Sequence, residues 1–268
     1  IFKSINKLNK EVNFKAKIGF VPTMGCLHKG HISLIKSSKK ICKKTLVSIF
    51  VNPSQFNKYS DLRNYPKNLK KDLKILKKHK VDYLLLPNTK EIYKKKKDRK
   101  IKLSKNDKIL CAKFRPGHFE GVLAVINQFL YNFKPKYIFF GEKDYQQLFL
   151  IKNFVKNKFK TKVVSCSTVR DNNKVALSSR NILLSKNDIK KSSFIAKLLL
   201  SFKNELKKRI YLKKNIRKII FEINNIKNID IEYLEIRNKN NLSRIFNKNN
   251  FKIFLAYYNK KIRLIDNY

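Results

Sequence analysis

Pro22-Thr-Met-Gly-Cys-Leu-His-Lys-Gly-His31 follows a short apolar run, Ile18 to Val21, and leads into a stretch with helical spacing, His31 to Lys43. A strand, a tight turn and a helix form the place where an open parallel sheet binds nucleotides. Free backbone N–H groups at such a helix start, together with the helix dipole, make an anion site. His28 and His31 are three residues apart, so on a helical turn they share a face and both can donate to one phosphate. Gly25 and Gly30 leave room for a ligand to lie against the backbone.

The chain has six glycines in 268 residues, and five of them fall in three short motifs. Gly25 and Gly30 are in the first. Gly117 and Gly121 are in Arg115-Pro-Gly-His-Phe-Glu-Gly121, and Gly141 opens Gly141-Glu-Lys-Asp144. Three of the four histidines, His28, His31 and His118, share these motifs. A chain this poor in glycine keeps it where backbone geometry or close approach to a ligand demands it. Metal binding is the alternative for Cys26-x-His28-x-x-His31, but no fourth ligand lies nearby and a bound site needs a full set. No metal is assigned to protein ligands on this basis.

Outward from the motif, apolar strands alternate with amphipathic helices. Leu46 to Val51, Tyr83 to Leu86, Tyr137 to Phe140 and Lys162 to Cys166 read as strands. Leu69 to His79, Phe119 to Phe133 and Tyr145 to Phe159 read as helices. That alternation predicts an α/β fold, a parallel sheet with helices on both faces. After about Val169 the pattern changes. Ser185 to Arg209 reads as a long helix, with Ser185 as N-cap and Asp188 at the third helical position. Asn215 to Ile223 reads as a second helix, and Ile229 to Arg237, Phe251 to Tyr258 and Lys261 to Ile265 as strands. A smaller α+β C-terminal domain, 169–268, is therefore expected after a first domain, 1–168. The Lys94 to Lys100 run reads as a solvated loop or helix end. Ile1 to Lys17 is either a transit peptide or, more simply, a short helix with Ile5, Leu8 and Val12 on one side.

The formal charge is +46, from 64 Lys+Arg against 18 Asp+Glu. Lysines occur almost everywhere, whereas a nucleic-acid binder concentrates charge on one face. Co-enrichment of Lys, Asn, Ile and Phe fits drift toward A/T-rich codons, so no specific nucleic-acid partner is expected. Hydrophobic residues make up 43% of the chain, which excludes a disordered polymer. The four scattered cysteines form no Cys-x-x-Cys pair and read as free thiols in a reducing cytoplasm. No apolar run approaches a membrane span, so no membrane partner is expected.

His28-Lys-Gly-His31 resembles the His-x-Gly-His motif of the nucleotidylyltransferase superfamily, shared with class I aminoacyl-tRNA synthetases. The longer run from Pro22 resembles the pantoate–β-alanine ligase family. So do Phe50-Val-Asn-Pro-Ser-Gln-Phe56, Arg115 to Val122, Phe140-Gly-Glu-Lys-Asp-Tyr-Gln-Gln147, Val169-Arg-Asp through Leu177-Ser-Ser-Arg-Asn181, and Arg263-Leu-Ile-Asp-Asn267. The resemblance runs in order from about Ile18 to the end. It implies a Rossmann-like first domain and an ATP-dependent condensation of pantoate with β-alanine. Pantoyl adenylate would be the intermediate, with pyrophosphate and AMP released on the way to coenzyme A. It also implies a homodimer, and Mg²⁺ accompanying ATP.

The resemblance carries roles onto particular residues. Catalysis falls to His31, His28, Lys143 and Arg180, with His31 given the proton-donor role. ATP is held by Met24, Gly25, Cys26, Leu27, His28, Lys29, Gly30 and His31. Gly141, Glu142, Lys143 and Asp144 join them, as do Val169, Leu177, Ser178, Ser179 and Arg180. Gln55 and Gln147 are the pantoate pair, and Gln55 also lies near β-alanine. The Ser-Ser-Arg segment would act as part of a lid. Asp144 is either a helix N-cap or a nucleotide contact, and Arg115 and His118 are either substrate contacts or loop supports. Cys26, Ser54 and Leu177 depart from the commoner pattern without removing a reacting group. Rival assignments are a synthetase fragment, another nucleotidylyltransferase, or a degenerate nucleic-acid binder. The absence of Lys-Met-Ser-Lys-Ser, the two glutamines in place of a basic acceptor pocket, and the intact motifs weigh against them in turn.

Overall fold

The computed structural model describes the chain apart from residues 58, 94–100 and 209–212. The Lys94–Lys100 run and Arg209 thus lie outside the described residues. Two compact units are present, Ile1–Thr168 and Val169–Tyr268.

The first unit contains, in order, α1 (Ile5–Glu11), β1 (Ile18–Thr23), α2 (Lys29–Ile41), β2 (Lys44–Ile49), α3 (Tyr59–Arg63), α4 (Leu69–Lys78) and β3 (Tyr83–Leu85). It continues with α5 (Thr89–Ile92), α6 (Cys111–Phe114), α7 (His118–Phe133), β4 (Tyr137–Gly141), α8 (Tyr145–Lys156) and β5 (Lys162–Cys166). The five strands form one sheet in the order β3-β2-β1-β4-β5, and every pairing is parallel. Alternate strand residues face opposite sides. Val21, Val47, Leu84 and Phe139 pack under Leu34 and Ile35 of α2 and Leu76 of α4. Phe20 points the other way, with its ring centroid 5.2 Å from Phe129 and 5.0 Å from Phe133 of α7, both edge-on. Helices therefore cover both faces, as the alternating pattern requires. Removing a buried ring such as Phe20 costs roughly 3–5 kcal/mol, so this seam contributes strongly to the fold.

Several boundaries differ from expectation. The strand expected at Leu46 to Val51 is Lys44–Ile49. Exposed Lys44 begins the ladder and reaches Asp82 at 2.9 Å, while Phe50 and Val51 leave it as the chain turns at Asn52. The helix expected from His31 begins at Lys29 and ends at Ile41. The helix expected to reach Phe159 stops at Lys156. Tyr59–Arg63, Thr89–Ile92 and Cys111–Phe114 were not expected as helices.

Gly121 shows how the fold sets the site. It lies in α7, where a Cβ would collide with the Ser54 carbonyl group and sit 3.0 Å from the Gln55 nitrogen. The neighbours are backbone and cannot swing aside. Gly121→Ala would add about 1 kcal/mol of helix preference in an open helix. Here it is expected to destabilise the protein by about 2 kcal/mol through overpacking. Urea denaturation reads this directly, and an unchanged or higher midpoint would contradict the contact.

The second unit contains α9 (Lys186–Lys208), α10 (Lys213–Asn224), β6 (Ile229–Asn238), β7 (Phe251–Asn259) and β8 (Ile262–Asn267). The strands form an antiparallel sheet in the order β6-β7-β8. Leu199, Phe202, Ile223, Ile253 and Leu255 share its core. Ser185 and Asp188 cap α9 reciprocally. The Ser185 Oγ accepts from the Asp188 N–H at 3.2 Å, and the Asp188 carboxylate accepts from the Ser185 N–H at 3.2 Å. The glycine-free hairpin between β7 and β8 puts Lys260 in the left-handed region at φ 55°.

Candidate active site

Strand order turns between β1 and β4, so loops from their carboxyl ends open into one crevice. The loop after β1 carries residues 24–28, and the turn after β4 carries Glu142–Asp144. A short 3₁₀ turn, Pro53–Gln55, follows β2 at the same end of the sheet.

The backbone of the first loop is already committed. Gly25 is left-handed at φ 81°, and Cys26 follows at φ 51°. Two successive residues of this kind turn their N–H groups to one side. The Cys26 and Leu27 N–H groups both donate to the Asp72 carboxylate of α4, at 2.8 and 2.7 Å. Asp72 is 2% exposed. A buried carboxylate thus fills a cradle that would otherwise receive an anion.

At the helix start, the two histidines themselves partner two of the N–H groups. His28 is the N-cap of α2. Its Nδ1 accepts from the Gly30 N–H at 3.1 Å, and the His31 Nδ1 accepts from the His28 N–H at 3.3 Å. The pair forms a reciprocal capping box. The box occupies the N–H groups of His28 and Gly30. It also assigns a second task to Gly30, where a Cβ would stand 2.8 Å from the His28 ring. Because both Nδ1 atoms accept, both Nε2 atoms carry the hydrogens. The ring centroids are 4.2 Å apart, so two N–H donors are presented side by side.

Burial, with a further push from the Lys143 ammonium, lowers the His28 pKa from 6.5 to about 4. Burial, and then the neighbouring His28, lowers His31 to about 3. Both rings are neutral at physiological pH. In the unfolded chain they protonate near 6.5, whereas the folded site resists protonation until about pH 4 and 3. The unfolded state therefore binds more protons in that window, and stability falls as pH drops below 6.5 toward those values. A His31→Gln chain keeps the His28 share alone. Its thermal midpoint is expected to fall less than that of the parent between about pH 7 and about pH 5. Parallel loss in the two proteins would contradict the suppressed protonation of His31.

Lys143 Nζ lies 3.3 Å from Asp144 Oδ1, with Lys143 the more buried partner. Asp144 occupies the N-cap position of α8 but makes no capping bond. Gln55 is buried and Gln147 half-buried. The main chain of Gln55 is held from α7. His118 Nδ1–H donates to the Gln55 carbonyl at 2.7 Å, and Arg115 Nη1 donates to His118 Nε2 at 3.0 Å. Both residues thus act as loop supports. Asn52, fully buried, donates to the Gly121 carbonyl at 3.0 Å and accepts from Tyr93 Oη at 3.1 Å. Gln146, next to Gln147, is turned to the carbonyls of Asp107 and Ile109.

A family model described as Pantoate-beta-alanine ligase matches residues 1–268. The chain belongs to the pantoate–β-alanine ligase family. A pantothenate synthetase from Buchnera aphidicola subsp. Acyrthosiphon pisum is 42% identical over 280 aligned positions, covering 100% of this chain and 97% of the relative. One from Leptospira biflexa is 39% identical, with 93% and 90% covered. Among solved structures, pantothenate synthetase from Thermus thermophilus superposes with a TM-score of 0.92 at 29% identity, over 99% of this chain and 97% of that one. The pantoate-beta-alanine ligase of Francisella tularensis, complexed with beta-gamma ATP and beta-alanine, gives 0.84 at 37% identity, over 99% and 95%. As a member of the ligase family, this chain is an enzyme of pantothenate synthesis.

Within the ligase fold, the first unit brings His28, His31 and Lys143 together. Met24, Gly25, Cys26, Leu27, Lys29 and Gly30 form or flank the same turn. Val169, Leu177, Ser178, Ser179 and Arg180 belong to the second unit, where they form a hydrogen-bonded segment. Leu177 N–H donates to the Val169 carbonyl at 3.0 Å, and Ser178 Oγ accepts from the Arg180 N–H at 3.2 Å. Asp72 and Asn52 are the site-shaping residues that the sequence did not single out. Among the described residues no helix is long and apolar enough to cross a membrane.

Proposed function

We propose that the chain uses ATP to activate pantoate as pantoyl adenylate and then passes the acyl group to β-alanine. The observation that carries this is the reciprocal histidine cap, which presents two neutral Nε2–H donors at the strand-order reversal. In the first step the pantoate carboxylate attacks the α-phosphorus and pyrophosphate leaves. A carboxylate is ionised at pH 7 and needs no base. The demand is for donors aimed at the growing phosphate charge, and His28 and His31 supply them. His31 acts as a hydrogen-bond donor, since its ring stays neutral. Lys143, with Ser178, Ser179 and Arg180, holds the triphosphate, and Arg180 does so in a bidentate manner. Gly141, Asp144, Val169 and Leu177 line the nucleotide.

Gln55 and Gln147 hold pantoate, because an amide can donate to its carboxylate and accept from its hydroxyls. Gln55 also lies near β-alanine in the second step, in which the amine attacks the acyl carbon and AMP leaves. Ser178 to Arg180 belongs to a domain, 169–268, that serves as a lid. Among the described residues no cluster of three or more His, Cys, Asp or Glu stands ready as a metal cage. Mg²⁺ would accompany ATP and would offset charge on its phosphates. A cytoplasmic homodimer is the assembly this proposal carries.

The test is product release. Pyrophosphate is expected from ATP with pantoate alone, followed by AMP and pantothenate when β-alanine is added. A folded sample that releases no pantoate-dependent pyrophosphate would overturn the proposal.

A further inference from the structure

Of two family-like motifs, Val169-Arg-Asp and Arg263-Leu-Ile-Asp-Asn267, only Val169 has a part in the chemistry above. Within the second unit they meet. Arg170 Nη1 donates to Asp266 Oδ2 at 2.7 Å and Nη2 to Asp266 Oδ1 at 2.8 Å. The same guanidinium donates to the Lys174 carbonyl at 2.9 Å and the Asn267 carbonyl at 3.1 Å. Tyr268 completes the cluster. Its hydroxyl donates to Asp266 Oδ2 at 2.8 Å, and its ring lies 4.5 Å from the Arg170 guanidinium carbon. Asp266 and Tyr268 are 9% and 3% exposed. A planar fork held by a carboxylate, two carbonyls and a ring face has little freedom to move.

What this fork holds is a tight hairpin. Asp171 N–H donates to the Val175 carbonyl at 2.9 Å, and Val175 N–H returns to Asp171 Oδ1 at 2.9 Å. Arg170 and Ala176 form an isolated bridge, and Leu177 N–H closes on Val169. Ser193 Oγ of α9 donates to the Asn173 carbonyl at 2.8 Å and pins the hairpin tip. The chain then enters Ser178 without slack. Asn181 N–H donates to the Ser178 carbonyl at 3.0 Å, and Asn181 Nδ2 donates to the Ala176 carbonyl at 3.2 Å. The 3₁₀ turn that starts at Ser179 packs beside β8, the strand that carries Asp266. The Arg170 fork therefore joins strand to hairpin, and the turn packs against the same strand.

We infer that Arg170, Asp266 and Tyr268 are positioning residues for ATP, a latch that sets the Ser178–Arg180 segment. The inference rests on the assignment of that segment to the triphosphate. Asp266→Asn keeps the shape and one acceptor but loses the charge. Tyr268→Phe keeps the ring and loses the hydroxyl. Arg180→Ala tests the segment itself.

In pantoate-dependent pyrophosphate release, Asp266→Asn is expected to raise the KM for ATP by about tenfold, with the KM for pantoate within about twofold. Tyr268→Phe is expected to raise the ATP value by about threefold. Hydrogen exchange in Asp266→Asn should quicken at amides 175–181 and stay unchanged in the core of β7. A general loss of folding would move both KM values and all amides together. If Arg180→Ala leaves the ATP value unchanged, the segment does not hold ATP, and the assignment fails together with the latch. If Arg180→Ala raises it while a folded Asp266→Asn does not, the latch alone is overturned. Should Asp266→Asn fail to fold, Tyr268→Phe decides, and an unchanged ATP value there overturns the latch.

Discussion

His31→Ala is expected to slow pantoate-dependent pyrophosphate release by about 10²–10³-fold while the protein remains folded. The substitution removes one of two Nε2–H donors set side by side. It also removes the acceptor that holds the His28 N–H, so the remaining ring loses part of its orientation. The lost cap costs about 1 kcal/mol of stability, small against the fold of a domain this size. Single-turnover measurement separates the chemical step from product release. His31→Gln, which restores a donor on a chain of similar reach, should recover part of the rate. An unchanged single-turnover rate in His31→Ala would mean that charge on the phosphate is stabilised elsewhere.

Asp72→Ala is expected to cost roughly 3 kcal/mol of stability, and to slow the reaction by releasing the loop that the buried Asp72 holds. Its carboxylate accepts from two N–H groups in a loop whose backbone is left-handed at Gly25 and Cys26. Without it, two donors lose their partner, each at about 1–3 kcal/mol if they stay buried. The loop can escape that cost by turning them to water, and doing so moves the cap of α2. Asp72→Asn keeps one acceptor oxygen but sets an amide N–H against a loop N–H, so an intermediate loss is expected. Urea denaturation and the pyrophosphate assay read the two effects. A midpoint within error of the parent would show that the loop holds its shape without the clamp.

Much of this was legible in the chain because sequence pattern and structure share a cause. Lys162–Cys166 matches its expected bounds, and Leu69–Lys78 is one residue shorter than expected. Their apolar periods coincide with the ladder and with the helix face. Four- and five-residue helices such as Thr89–Ile92 escaped, since little more than one turn shows no period. The motif residues were legible as chemistry, but not their hydrogen bonds. Imidazole can donate or accept, and spacing alone does not say which nitrogen faces the backbone. Asp72 left a mark that could have been read. It falls at the i+3 place of the stripe Leu69, Leu73 and Leu76, where a carboxylate is out of place unless something pairs with it.

The glycines divide in a way that bears on how this chain tolerates mutation. At Gly19, Gly30 and Gly121 an added methyl would crowd neighbouring atoms, and Gly25 and Gly117 are left-handed. At Gly141 an added Cβ meets nothing within 4 Å. Under a codon drift that strips glycine from a genome, the first five are retained by the folded chain itself. Gly141, at the end of β4, has no such protection. Any constraint on Gly141 therefore comes from something other than packing. In a saturation screen scored separately for abundance and for growth without pantothenate, it is the glycine whose two scores should part.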